Sequence, residues 1–145
     1  MTSGWVAPAH RETLNLPADG QPLHLEIPEA HRNQNLLVEI ESGGIRRSHL
    51  HLHNRMSVRL MRDFGQLQAR DAETGRPIPK TYVKVYALGQ NGLVSFWKDG
   101  YTDARGRFDY LTVNHRKPEE AIRFSLLILH PDHGTEIRET TPPTR

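Results

Sequence analysis

Gly65-Gln-Leu-Gln-Ala-Arg-Asp-Ala-Glu-Thr-Gly-Arg-Pro-Ile-Pro-Lys-Thr-Tyr-Val-Lys-Val-Tyr-Ala87, with Asp99-Gly-Tyr-Thr-Asp-Ala-Arg-Gly-Arg-Phe108 a short way beyond it, is the stretch that decides the fold. Phe64 to Ala69 reads as a strand. It closes at Asp71-Ala-Glu-Thr-Gly-Arg-Pro77, where Asp and Thr side chains can bond turn amides and Pro77 cannot donate to a ladder. Tyr82-Val-Lys-Val-Tyr-Ala87 is β-branched and aromatic, the composition that suits a pleated surface. Strand, turn, strand is the signature of a small all-β sandwich.

The same grammar extends outward. Gln90-Asn-Gly92 is a hairpin signal feeding Leu93–Lys98, and a short strand at Tyr101–Thr102 follows Asp99-Gly100. The turn Asp103–Gly106 leads into a strand over Phe108–Val113. Asn114–Glu120 is a polar connection with room for a helical turn, and Ile122–Leu129 is the most apolar run, expected as a central strand. His130–Gly134 turns it, and Thr135–Arg138 is expected as an edge strand. Upstream, Leu23–Ile27 alternates and is expected as a strand ending at Pro28, and Leu36–Ser42 is another, with Gly43-Gly44 as its hairpin turn. From Ile45 the alternation is long: Leu50, Leu52, Met56, Val58 and Leu60 share one parity, and Arg47, His49, His51, His53, Arg55 and Arg59 the other. An unbroken register places these sets on opposite faces, whereas a turn or bulge at Asn54-Arg55 splits the run.

The expected fold class is therefore all-β, an antiparallel β-sandwich of transthyretin-like or Ig-like kind, preceded by a short β-hairpin region. Residues 1–22 read as an irregular arm and 23–62 as a β-strand region, either a small sub-domain or an extension of the sheets. Residues 63–141 read as the sandwich and 142–145 as a tail. At 145 residues and 36% hydrophobic content, the chain can build one modest core. A net charge of +2 is too small to demand a polyanion. Cysteine is absent, which removes disulfides, thiolate metal sites and thiol nucleophiles. No apolar run approaches the roughly 20 residues that span a bilayer, and no signal peptide is visible at the start.

On Gly65, Asp71, Thr74-Gly75, Pro77, Pro79, Val83, Val85, Thr102-Asp103, Gly106 and Phe108, the chain resembles the carboxypeptidase regulatory-like domain of the transthyretin-like β-sandwich group. The resemblance covers Gly65–Tyr110 and, loosely, Ile122–Leu129. It implies a rigid accessory module without catalytic residues, part of a larger or surface-associated assembly and extracytoplasmic or at the cell surface. The chain departs from the pattern at Asn114–Glu120, a charged segment in place of a short Pro-Gly-rich loop. A transthyretin-like hydroxyisourate hydrolase carries a strand histidine where this chain has Gln68, and a different C-terminus from Pro142-Pro-Thr-Arg145. That activity does not carry over.

Composition and resemblance together favour a non-catalytic module mediating protein–protein or inter-domain contact. Its candidate surface is the basic strip Arg47, His49, His51, His53, Arg55 and Arg59, within residues 45–62 that contain no Asp or Glu. The alternative is zinc: His49 and His51 on one strand face, completed by His130 or His133 (or His115) from another element. All three strand histidines cannot share an ion, because the outer two lie roughly 13 Å apart along a strand. A further alternative is carbohydrate stacking on Tyr101 and one of Phe96 and Trp97, since adjacent residues face opposite ways. Nucleic acid is disfavoured, because no aromatic series interleaves the arginines. Asp99, Asp103 and Asp109 lack the spacing of a calcium loop and read as turn formers. No Gly-x-Ser-x-Gly elbow surrounds Ser48, Ser57, Ser95 or Ser125, and no cofactor is expected outside the zinc alternative.

Overall fold

The computed structural model describes residues 7–143. The first six residues of the expected arm, and Thr144 and Arg145 of the expected tail, lie outside the described residues. Nine strands follow in order among the described residues: β1 (Leu36–Ser42), β2 (Ile45–His51), β3 (Met56–Met61), β4 (Gln66–Asp71), β5 (Tyr82–Gly89), β6 (Val94–Tyr101), β7 (Arg107–Asp109), β8 (Ala121–His130) and β9 (Gly134–Thr140). The fold is all-β and antiparallel throughout. A three-stranded sheet in the order β3-β4-β7 packs on a four-stranded sheet in the order β6-β5-β8-β9, and β1-β2 forms a separate two-stranded sheet. β3 pairs along its whole length with β4, from Met56 opposite Asp71 to Met61 opposite Gln66.

The core is built by period two. On β5, Val83, Val85 and Ala87 face inward, and on β8 Phe124, Leu126 and Ile128 do, all at most 1% exposed. Met56, Val58, Leu67 and Ala69 answer them from the facing sheet. Burying each of the larger side chains contributes about 1.5–3 kcal/mol. Trp97 and Tyr110 pack their rings on Phe124, at 5.0 and 6.5 Å between centroids. Asparagine and aspartate shape the turns as the sequence indicates. Asp71 Oδ1 accepts the N–H groups of Glu73 and Thr74, and Asp103 Oδ1 those of Arg105 and Arg107.

Three expectations change. Leu23–Ile27 alternates but forms no strand: Pro22 and Pro28 flank it and it has no neighbouring strand, so Leu23 and Leu25 stay exposed. β6 runs unbroken through Asp99-Gly100 to Tyr101, because Gly100 keeps its place opposite Val83. The strand expected over Phe108–Val113 stops at Asp109, whose carboxylate accepts the N–H groups of Leu111 and Thr112 and turns the chain.

Side chains stopper the sandwich edges. Arg138 donates to the Val58 carbonyl on the outer side of β3. Arg116 donates to the Phe96 carbonyl and Ser95 hydroxyl of β6, with its guanidinium 4.4 Å from the Trp97 ring centroid. No helix among the described residues is long and apolar enough to cross a membrane.

Candidate protein-contact surface

The hairpin of β1 and β2 is the element that packing does not explain. Gly43 and Gly44 both hold positive φ, +56° and +78°, the conformation of the two-residue turn whose twist matches paired strands. Leu37 then lies opposite Leu50, Val38 opposite His49, Ile40 opposite Arg47 and Ser42 opposite Ile45. One face carries Leu36, Val38, Ile40 and Ile45 beside Arg47, His49 and His51. The other carries Leu37, Glu39 and Glu41 beside Leu50, Ser48 and Arg46. Leu37, Ile40, Ile45 and Leu50 are 52–63% exposed. The pairing corrects the sequence reading at this point: the histidine face of β2 is the apolar face of β1, so the basic residues do not form a purely polar side. On the opposite face Arg46 is spoken for, 3.2 Å from Glu41. Arg47, His49 and His51 have no acidic partner among the described residues.

The expected basic strip breaks after His51. The His53 N–H donates to Asn35 Oδ1 and its carbonyl accepts from Thr135, while Asn54 bridges to Gly134. Gly134 has φ +93°, and a Cβ there would overlap the His53 carbonyl oxygen, so only glycine lets the β8–β9 turn close on this crossing. Arg55 leans toward Glu73 at 3.7 Å. Arg59 sits on β3, opposite Gln68. Arg47 and His49 therefore belong to the hairpin, and Arg55 and Arg59 to the sandwich. The structure brings the first pair together and separates them from the second.

His130 and His133 meet at the same crossing, with their Nδ1 atoms 3.1 Å apart and His133 Nε2 2.9 Å from Asp71 Oδ2. The cluster ties the β8–β9 turn to the end of β4. The N–H of Thr74 holds the Asp71 carboxyl down at about 2, working against desolvation and helped by the N–H of Glu73 and by His133. Burial, then the charge of His133, hold His130 below the ordinary histidine range. His49 and His51 sit on the hairpin sheet, and among the described residues no group of three or more His, Asp or Glu is placed to hold a metal ion.

Trp97 faces inward and donates its Nε1–H to the Leu111 carbonyl, whereas Phe96 faces out. The outward rings tilt against each other. Tyr82 and Tyr101 stand at 54° and Tyr86 and Phe96 at 82°, not the level row on which a sugar chain stacks. Asp99 accepts from the Tyr82 hydroxyl, so each of the three candidate calcium acids already serves a protein donor. A surface depression of about 420 Å³ is an open dip over Gln66, Asp103–Arg105 and Arg107–Asp109. Sequence reading missed the apolar half of the hairpin face. The signal was present in Leu36, Val38 and Ile40, once paired with their opposites on β2.

A family model described as the AbpF C-terminal domain matches residues 55–145. Actin-binding protein F of Dictyostelium discoideum is 34% identical over 139 residues, which cover 96% of this chain and 6% of that protein. The chain thus spans a small fraction of the relative's length, and the likeness extends across β1 and β2, which the family model leaves out. No solved structure matches the chain significantly.

Proposed function

The chain belongs to the AbpF C-terminal domain family, and from that premise we propose that it is a non-catalytic Ig-like interaction module of an actin-associated protein. The observation that carries the reading is the β1–β2 hairpin, a two-stranded sheet that pairs with no other strand among the described residues and leaves Leu37, Ile40, Ile45 and Leu50 exposed. Such a hairpin is marginal in water on its own, and stability ordinarily comes from a third strand or a covering layer. Here exposed apolar side chains lie beside Arg47 and His49, which have no acidic partner among the described residues. That combination suits the centre and rim of a protein contact.

The name of the relative makes filamentous actin the first partner to test. Such a partner would place the module in the cytosol, in place of the cell-surface setting that the turn resemblance implied. The finer kinship with carboxypeptidase regulatory-like domains rests on shared turn mechanics, and it predicts the same scaffolding role. Co-sedimentation with actin filaments is the direct assay. Wild-type protein is expected in the pellet, and the Arg47→Glu, His49→Glu variant is expected to lose at least tenfold in affinity. Equal binding by Arg59→Glu and wild type would match the separation of the two sheets. A variant that still pellets like wild type would move the contact away from the hairpin.

A further inference from the structure

A two-residue turn closed by Ser42 and Ile45 fixes which backbone groups of the hairpin face inward. The closing pair exchanges hydrogen bonds, and so does every second pair after it, so Val38–His49 and Ile40–Arg47 bond each other. The N–H and C=O groups of Arg46, Ser48 and Leu50 therefore point away from β1. Among the described residues no backbone group pairs with them. This edge differs from those of the sandwich, where Arg138 fills a bonding position on β3 and Arg116 one on β6. An open row of donors and acceptors is a template for another strand.

The charge on the edge selects what can be added. β2 carries Arg46, Arg47, His49 and His51 and no acid, whereas β1, the strand it already accepts, carries Glu39 and Glu41. β1 sets Ile40 and Val38 opposite Arg47 and His49 and pairs Glu41 with Arg46, so the strand already paired brings no carboxylate opposite Arg47 or His49. A second β2 is a poor neighbour, since antiparallel self-pairing centred on Ser48 sets Arg47 against His49. Like charges directly opposite destabilise a strand pair.

We propose that the outer edge of β2 accepts an extended acidic segment of a partner protein as a third strand. Its backbone bonds Arg46, Ser48 and Leu50, and its carboxylates lie beside Arg47 and His49. The inference rests on the hairpin being the contact surface, and it specifies the mode of contact. Strand addition also provides the third strand that a lone hairpin lacks.

The probe is a fluorescein-labelled octapeptide of alternating valine and glutamate, titrated into the full chain and followed by fluorescence anisotropy. Wild type is expected to bind it at least tenfold more tightly than the matching valine–lysine peptide. N-methylation of alternate peptide amides is expected to lower affinity at least tenfold, because it removes donors without changing charge. Ser48→Pro is expected to give a similar loss: the Ser48 N–H faces away from β1, so proline deletes one outward donor, and the amide spectrum reports whether the hairpin survives. If that variant disturbs the hairpin, the N-methyl series on wild type decides alone.

Affinity that falls with Arg47→Glu, His49→Glu but ignores N-methylation would keep the contact surface and overturn strand addition. Affinity indifferent to both, or no binding to wild type, would overturn the proposal. A micromolar dimer in analytical ultracentrifugation that Ser48→Pro dissolves would name a second copy as the occupant and overturn the acidic partner.

Discussion

The hairpin and the sandwich are written in one pattern and stabilised in opposite ways. β5 alternates as Tyr82-Val-Lys-Val-Tyr-Ala87, and β1 as Leu36-Leu-Val-Glu-Ile-Glu-Ser42. In β5 every inward side chain meets a facing sheet, and Val83 and Val85 are fully buried. In β1 the corresponding Ile40 is 56% exposed, with no facing sheet over it among the described residues. Alternation thus specifies which side chains share a face. Whether that face is core or contact surface depends on what stands opposite, and among the described residues no second sheet pairs with the hairpin.

The sharpest way to break this contrast is to cut the two regions equally. Leu126→Ala empties a fully buried position at the centre of β8 and is expected to cost about 2–5 kcal/mol in denaturant unfolding. Gly134→Ala, at the crossing that joins the regions, forces a side chain into a left-handed conformation against the His53 carbonyl. Its expected cost is about 1–3 kcal/mol. A change near zero there would mean that the crossing gives way readily.

Titration probes the same joint more gently. The Asp71 carboxyl titrates at about 2 in the fold against an ordinary 3.8, so its bonds to Thr74, Glu73 and His133 stabilise the native state above about pH 4. That contribution is lost as the pH falls toward 2. The melting temperature of wild type should drop over this window more steeply than that of Asp71→Asn, and parallel curves would dismiss the carboxylate. The smallest effect belongs to Ile40→Ala, expected within about 0.5 kcal/mol of wild type. A cost above about 2 kcal/mol would show the hairpin buried in an assembly of the isolated protein. Hydrogen exchange sharpens the point, with the amides of Val38, Ile40, Arg47 and His49 expected to open far more readily than those of β5 and β8.

Much of the sandwich was legible because its signals are local. Asp71, Gly75 and Asp103 act within a few residues of themselves, and Ile122–Leu129 is apolar enough to demand a central place. The hairpin turn at Gly43-Gly44 was equally plain. The candidate surface was only half legible. The run from Leu50 through Leu60 left two readings, one unbroken and one split at Asn54-Arg55. The chain takes the second, and Asn54 bridges to Gly134, 80 positions away, with β3 in a different sheet from β2. No local pattern encodes such a crossing. The apolar character of the His49 face was hidden likewise, since it belongs to the neighbouring strand. Leu23–Ile27 shows the converse: correct alternation yields no strand where no neighbour supplies hydrogen bonds.

The Arg138 guanidinium seated on the Val58 carbonyl has a consequence for crowding. A bare rim of backbone invites fibrous growth from copy to copy, and a cation lodged in that rim is a gatekeeper against it. At the Val58 carbonyl, an edge-to-edge contact between copies would first have to displace that guanidinium.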